Sequence, residues 1–447
     1  MILKNWAKTL LGFLGTILIL GFTTLTTLDR TEVDQTDHYQ ATFSQLDSIS
    51  NTGVDTRGDT LRAGWSKVNI TPKLSTELAG YGAGKLERVV DSLWVRTFLL
   101  TNGNQHIAVI APDLLIFPPE VKSLLEDRLD DLNLTAIYYG ATHTHHSVGA
   151  WHPGFVGKMF AGNYDPQVVN WLADKIVLSI QNARENLLVS RIGFAAIEAE
   201  HLVYNRLVKE MGTIDPWLRF IRIEQDSGEN AVLASFSAHA TNISRDQLIT
   251  HRDYPGLLVD QLEQDPKVDF AAFMAGAVGS QGPKGEGVGL EKARFVAHDL
   301  AGQIGLISNV MSTAHTTVLG IFHSEITLGE PQFRVAPFLR LRPWLFRLIF
   351  GQHTAHISAL RISDTIFAGT PCDFSGELIG PIETHLREKE LNLMLTSFNG
   401  GYVGYITKDE WYDMDAYETM VMNWFGPGNG QYFSEIVTTA VDILADQ

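Results

Sequence analysis

The sequence predicts an α/β fold with one large folded domain over residues 63–447. Of its 447 residues, 45% are hydrophobic and 19% are charged, as in a chain that buries a substantial core. Short apolar runs of strand length alternate with longer stretches of helical periodicity, an order typical of α/β proteins. Beyond residue 62, no low-complexity stretch interrupts the alternation. These observations favour one domain.

The first 28 residues are interpreted as an export signal or a transmembrane anchor. Lys4 and Lys8 precede an uncharged, apolar run from Thr9 to Leu28. Such a basic start is typical of export signals, and about 20 apolar residues suffice to span a bilayer as a helix. No clear cleavage site follows, so both interpretations stay open. Either one places the body of the protein outside the cytoplasm, as a membrane-anchored, periplasmic or extracellular protein.

Residues 29–62 are polar, and we predict a linker there with at most one weak helix. The folded domain then begins at residue 63 with a strand that ends near Pro72. Further strands are predicted from apolar or alternating runs at 94–100, 107–111, 135–140, 192–200, 217–224, 231–238, 268–273 and 359–368. Helices are predicted from 3.6-residue spacing, two of them with a proline start, at 118–132, 166–187, 254–264, 290–311 and 376–389.

Metal-binding side chains recur directly after these predicted strands. His143, His145 and His146 follow one apolar run, and His239 and Asp373 each follow another. In α/β folds, ligands collect beyond the carboxyl ends of strands, and neutral imidazole is a common zinc ligand. If the three histidines are considered alone, the alternative to a metal site is a solvated polar loop that is rich in histidine. Several such side chains at strand ends favour a metal site.

Charge and cysteine content exclude other classes of protein. The net charge of −17 disfavours nucleic acid as a partner, because phosphates require a basic face. The single Cys372 forms no internal disulfide and excludes a cysteine-based zinc module. Nothing in the sequence predicts a protein partner.

One stretch, 333–350, differs from the rest of this acidic chain. It contains four arginines among aromatic and aliphatic residues and no acidic residue. Basic, aromatic-rich amphipathic segments lie in membrane interfaces, so a membrane surface is an expected partner. The alternative is a buried helix whose arginines pair with the acidic body.

Short motifs also occur in a fixed order along the folded domain. They lie at 64–72, 80–81, Asp113, 142–145, 205–206, 236–241, 371–374 and 399–427. In this order they resemble the motifs of the neutral (neutral/alkaline, non-lysosomal) ceramidases. The resemblance spans residues 63–440 and rests on the ordered set, since no single motif is specific. It implies a layered α/β sandwich of mixed β-sheets flanked by helices, without the C-terminal immunoglobulin-like domain of longer family members.

The resemblance further implies a zinc-dependent amidohydrolase that cleaves the N-acyl bond of ceramide with metal-activated water. The implied zinc ligands are His143, His239, Asp373 and Tyr405. His145 and Arg206 would contact the substrate or polarise its carbonyl, and Tyr417 would help to bind it. Asp253 or His251 would protonate the leaving amine or support the ligands.

The chain departs from the family pattern at two positions. Asp373 stands where the family has glutamate, and Gly282 stands where it has a serine with an assigned role. A ceramide or similar N-acyl lipid is therefore the expected substrate, with two alternatives left open. One is a zinc hydrolase of the same fold that acts on a different amide or ester. The other is a non-catalytic, lipid-binding relative.

Overall fold

The computed structural model describes residues 21–82 and 84–447, together with residues 10, 13 and 16. The predicted signal or anchor therefore lies largely outside the described residues. Its last part, Leu25–Thr27, forms a short strand that pairs antiparallel with Leu339–Leu341. Across the described part of the chain, no helix combines the length and the apolar character needed to cross a membrane.

A large mixed sheet contains nine strands among the described residues. In spatial order, eight of them are Phe270–Ala275, Asn230–Phe236, Trp217–Gln225, Leu188–Glu198, Arg62–Asn69, Trp94–Thr101, His106–Pro112 and Ala136–Tyr139, and Ala314–His315 pairs with Leu188–Glu198. The pairs at both edges are parallel and the inner pairs are antiparallel. Side chains alternate between the two faces, so Val95 and Leu99 face helices whereas Phe98 and Leu100 face a second sheet.

The second, smaller sheet has four strands in the described chain. They are Leu319–Ile326, Ala355–Ile362, Thr365–Thr370 and Asn392–Ser397, in that spatial order. The prediction of one strand over 359–368 is wrong, because a two-residue turn at Ser363 and Asp364 folds the chain into a hairpin. Ser363 has a left-handed φ of 58°, which its residue type does not signal.

Within the described residues, five further pairs of short strands join loops to one another. They are Leu78–Gly80 with His146–Val148, Arg88–Val89 with Ile249–Thr250, Val203–Asn205 with Gln281–Pro283, Arg334–Ala336 with Leu339–Leu341, and Asp373–Phe374 with Tyr405–Ile406.

Helices cover the outer faces of both sheets. Those on the large sheet are Pro119–Glu126, Pro166–Glu185, Asp253–Leu262 and Leu290–Ser308, and those on the small sheet are Asp37–Thr52, Ile379–Glu388 and Asn429–Ala445. The inner faces share one core, in which Phe98 and Leu233 of the large sheet lie in the same cluster as Leu360 and Phe367 of the small one. The predicted α/β fold with mixed, layered sheets is confirmed. Two short surface helices, Gly154–Ala161 and Pro343–Phe350, pack against each other outside these layers.

Helix Asp37–Thr52 lies in the segment that we predicted to be a polar linker. It packs against helix Asn429–Ala445, and its Leu46 is fully buried in the core of the small sheet. Tyr39 and Phe43 pack against the same core. Apolar residues spaced three to four apart give one helical stripe, which the polar composition of the segment obscures.

The large sheet curls until the ends of its two edge strands meet. The Ala275 amide donates a hydrogen bond to the Ala141 carbonyl at 2.9 Å. Gly140 allows this approach, because a Cβ atom there would lie 2.7 Å from the Met274 sulfur. The carboxyl ends of strands from both sheets therefore converge on one region. Strands Thr365–Thr370 and Asn392–Ser397 of the small sheet are parallel, so both of their carboxyl ends lie there.

Candidate active site

Loops at these converging strand ends bring the predicted metal ligands together. His143 follows the edge strand Ala136–Tyr139, and His239 follows Asn230–Phe236. Asp373 and Tyr405 occupy paired positions on two short parallel strands beyond the small sheet. All four are buried, with 1–5% of their surface exposed. These four residues are far apart in the sequence. They come together because the ends of the two edge strands of the large sheet meet.

Two histidines face each other with unprotonated nitrogens. The Nε2 atoms of His143 and His239 lie 2.8 Å apart. The Nδ1 atom of His143 lies 2.6 Å from the Leu115 carbonyl and that of His239 lies 3.4 Å from the Val278 carbonyl. A carbonyl oxygen only accepts hydrogen bonds, so each Nδ1 carries the proton and each Nε2 presents a lone pair.

Burial keeps these imidazoles neutral. It lowers the pKa of His143 to about 3, and it lowers the pKa values of His145 and His239 well below the ordinary range. Two neutral lone pairs at this distance repel each other unless a cation lies between them. The arrangement therefore fits a metal ion, for which neutral imidazole nitrogen is a preferred ligand.

Asp373 adds an oxygen to the same centre. Its Oδ1 atom lies 3.6 Å from His143 Nε2 and has no hydrogen-bond partner among the described residues. The other oxygen, Oδ2, accepts a hydrogen bond from the Tyr402 hydroxyl at 2.7 Å. Burial raises the pKa of Asp373 to about 7. A buried carboxylate oxygen that lies 3.6 Å from an imidazole lone pair and has no donor among the described residues is a second observation in favour of a cation.

His145 stands closer to this centre than the resemblance implies. Its Nε2 atom is 3.3 Å from His143 Nε2, and the ligand atoms of His143, His145 and His239 all lie within 4.8 Å of one another. His145 is the partly exposed member of the three. It is thus positioned both to hold a metal and to face a substrate.

Arg206 supplies a fixed positive charge beside the histidines. Its guanidinium donates to the Tyr405 hydroxyl at 3.0 Å and to the Gly279 carbonyl at 3.3 Å, and its Nε lies 3.0 Å from a Glu418 oxygen. Burial lowers the pKa of Arg206, but Tyr405 and Glu418 more than offset this effect. Tyr417 is 56% exposed, with its ring 6.0 Å from that of Tyr405, so it lies at the outer rim.

Asp253 lies outside the centre and organises a neighbouring loop. Its carboxylate accepts from the amides of Asn242 and Ile243 at 2.8 and 3.0 Å and from the Asn242 side chain at 2.7 Å. The Asp253 amide donates to Nδ1 of His251 at 2.8 Å. These contacts hold the loop that follows His239, which agrees with a supporting role, and the role in proton transfer stays a prediction.

Between these two residues, Arg252 forms a second buried polar cluster, which we call the arginine network. Its guanidinium donates two hydrogen bonds of 2.9 Å to Asp91 and two, of 3.1 and 2.6 Å, to Asp260. Asp113 lies 4.0 Å away and accepts from the Trp94 amide at 2.9 Å. Every charge in this network has a partner.

Three aromatic residues that have no role predicted from the sequence also shape the centre. Phe398 stacks on His143 with ring centroids 4.1 Å apart, and both residues have a left-handed φ, of 68° and 61°. Tyr81 packs on His145 at 4.7 Å, and Tyr402 orients Asp373. Such backbone conformations cost on the order of 1–3 kcal/mol each and cluster at functional sites. The signal in the sequence was weak: Tyr402 lies three residues before Tyr405.

Gly282 lies on a short strand next to the centre. It is paired in register with Tyr204, whose ring covers it. A Cβ atom at Gly282 would lie 3.0 Å from that ring, so a serine there would require Tyr204 to shift. Tyr204 is 46% exposed and therefore borders the approach to Arg206.

Comparison with known proteins relates this geometry to solved structures. No family model matches the sequence, and no curated protein matches it significantly. The structure is similar to that of neutral ceramidase from Pseudomonas aeruginosa, with a TM-score of 0.72 and 17% identity over 87% of this chain and 75% of that one. A structure of ceramidase complexed with C2 gives the same score and identity over 87% and 76% of the two chains. The chain therefore has the fold of the neutral ceramidases.

Proposed function

We propose that this protein is a metal-dependent amidohydrolase that cleaves the N-acyl bond of ceramide or a similar N-acyl lipid, with zinc as the metal. The observation that supports this most is the pair of facing lone pairs on His143 and His239, joined by the unpartnered oxygen of Asp373. The likeness of the fold to ceramidases suggests the substrate class. We further propose, from residues 1–28, that the protein is exported.

The residues that would hold the metal are His143, His239 and Asp373, with His145 or Tyr405 completing the set. When bound there, zinc supplies a Lewis acid that polarises a carbonyl and lowers the pKa of water to about 7. Arg206 stays protonated and donates to the carbonyl oxygen as negative charge develops on it. These groups come from loops that the packed sheets hold rigid.

The reaction adds the oxygen of water to the carbonyl carbon and breaks the C–N bond. A proton from that water must reach the amine nitrogen. His145 is placed to carry it, because it is partly exposed and its Nδ1 has no partner in the part of the chain that the structure describes. Tyr417 at the rim would contact the lipid chains.

Metal analysis combined with turnover tests this proposal. We expect about one zinc ion per full-length chain and hydrolysis of a fluorescent ceramide in mixed micelles. His143→Ala and His239→Ala should lose both. His315→Ala is the matched control, because its side chain is 50% exposed and it lies on a strand of the large sheet away from the centre. Wild-type protein without metal, or full turnover in both alanine variants, would contradict the proposal.

A second candidate is hydrolysis of a different amide or ester by the same centre. The observation that favours it is Tyr204, whose ring covers Gly282 at the position where the family has a serine. The same assay with short N-acyl amides and esters separates the two. Metal-dependent turnover of these compounds without turnover of ceramide would select the second candidate.

A further inference from the structure

Large apolar side chains are exposed on two neighbouring surface helices. The helices are Gly154–Ala161 and Pro343–Phe350, which pack against each other. The exposed side chains are Phe155 (65%), Met159 (60%), Trp344 (52%) and Leu348 (73%). On each helix the two positions are four residues apart and therefore lie on one side. We call these four side chains the apolar face.

The apolar face points away from the core. The opposite sides of the two helices are buried, at Gly157 and Ala161 on the first and at Phe346 on the second. Because the helices lie side by side, their exposed sides face the same part of the surface. Soluble proteins rarely expose a contiguous patch of large apolar side chains, and such patches mark sites of interaction.

Two cationic side chains lie beside the apolar face in a protein of net charge −17. Lys158 is exposed between Phe155 and Met159, and the side chain of Arg347 is 39% exposed beside Leu348. Arg347 lies 2.8 Å from Glu330, a pair that is open to solvent and therefore weak. An apolar centre with a basic rim is the pattern that binds the interface of an anionic bilayer.

The apolar N-terminal run joins the body of the protein at this place. The Arg342 guanidinium donates to the Phe22 carbonyl at 3.0 Å, and the Trp344 indole donates to the Thr23 carbonyl at 3.1 Å. Residues 9–28 carry no charge. A segment with affinity for lipid is thus attached at the edge of the apolar face, so both would meet one lipid surface.

The apolar face also lies near the candidate active site. The Met159 carbonyl is 3.7 Å from the position of a Cβ on Gly82, and the neighbouring Tyr81 packs on His145. His145 is the partly exposed histidine of the centre. We propose that the apolar face docks on an anionic bilayer and holds the mouth of the centre against the source of its lipid. The link to turnover rests on the proposed function, whereas docking does not.

Site-specific fluorescent labels test the docking directly. Cys372 is the only cysteine and is fully buried, so an introduced cysteine can be labelled selectively in the full-length chain. We would label Leu348→Cys and Met159→Cys with an environment-sensitive dye. The matched control is Leu306→Cys, at an equally exposed leucine (72%) on helix Leu290–Ser308. The probe surfaces are phosphatidylcholine vesicles with and without phosphatidylglycerol.

We expect the dye at positions 348 and 159 to brighten about twofold or more with the anionic vesicles, less with the neutral ones, and not at position 306. Three outcomes would overturn the proposal. If the protein floats with vesicles but the dye at 348 is unchanged, the N-terminal run binds alone. If the dye is shielded without vesicles, the chain itself covers the face. If brightening depends on protein concentration instead, a second copy covers it.

Turnover provides a separate measurement. Leu348→Glu should lose hydrolysis of ceramide in anionic vesicles about tenfold or more, and keep the hydrolysis of a water-soluble N-acyl amide. Leu306→Glu should change neither rate. Equal loss on both substrates would indicate a folding defect and contradict the docking role. Absence of turnover in the wild type would contradict the proposed function and leave the dye measurement as the test of docking.

Discussion

The histidine centre and the arginine network are both clusters of buried polar side chains, but they differ in how their atoms are paired. Around Arg252, each carboxylate oxygen that faces the guanidinium is matched by a donor or a nearby positive charge. In the centre, two imidazole lone pairs face each other, and a carboxylate oxygen 3.6 Å from one of them has no hydrogen-bond partner among the described residues. The paired charges of the arginine network stabilise a loop. The acceptors of the histidine centre lack donors, and a bound cation would satisfy them. The difference separates a structural cluster from a functional one.

Removing Arg252 should give the largest effect on stability. Arg252→Met leaves the buried Asp113 and the partly buried Asp91 without a cationic partner, and we expect a loss of about 3–5 kcal/mol in the free energy of unfolding. The control Arg191→Met removes an arginine that is 38% exposed and paired with Glu224, and it should cost about 1 kcal/mol or less. Urea unfolding measures both. Equal losses would show that the buried contacts of Arg252 stabilise the fold no more than a solvent-exposed ion pair does.

The arginine network should also leave a signature in the pH dependence of stability. Burial raises the pKa of Asp113 to about 6 in the folded protein, from 3.8. The folded state therefore holds an extra proton between these values, and its contribution is present below pH 3.8 and is lost as the pH rises through 6. Relative to Asp113→Asn, the free energy of unfolding of the wild type should fall by up to about 3 kcal/mol as the pH rises from 3.8 to 6. A constant difference between the two proteins would show that Asp113 is already ionised at pH 4.

The histidine centre should respond to metal, whereas the arginine network should not. Zinc at about 100 times its dissociation constant should add roughly 2.7 kcal/mol to the free energy of unfolding, because it binds the folded state. His143→Ala should lose this gain, and Asp113→Asn should keep it. Thermal unfolding with zinc and with a chelator makes the measurement. A gain that persists in His143→Ala would place the metal elsewhere.

The smallest expected effect comes from Tyr402. Tyr402→Phe removes only the hydroxyl that orients Asp373, so we expect metal affinity to fall about 10–100-fold while the fold is unchanged. Competition with a chromophoric chelator measures the affinity. Tyr138→Phe is a matched control, since its buried hydroxyl binds Thr396 in the core between the sheets. Similar affinities in both variants would show that Asp373 is oriented by other contacts.

The elements that carry their own hydrophobic pattern could be predicted from the sequence. Strand Trp94–Thr101 and helix Pro166–Glu185 are each found within two residues of their predicted bounds. Helix Asp37–Thr52 was assigned to a linker, because its buried stripe is embedded in polar residues. The hairpin turn at Ser363 was missed, because the conformation arises from strand pairing and not from residue type.

For the candidate site, the sequence indicated which side chains could bind metal but not their relations. The order of motifs pointed to His143, His239, Asp373, Tyr405 and Arg206, which the structure brings together. It could not show that Asp253 binds the loop after His239, since that depends on amides ten and eleven residues distant in the chain. Nor could it show the stacking of Phe398, which arises only where the two sheets approach.

The meeting of the sheet edges also bears on how the chain folds. Contacts between residues as distant as His143 and Asp373 require most of the chain to be in place, and such non-local contacts form late because loop closure is entropically unfavourable. A partly folded chain would therefore hold both sheets before it holds the centre. Capture of metal would then report that folding is complete. If the chain is exported and binds metal as we propose, it would take up the ion only after it has crossed the membrane.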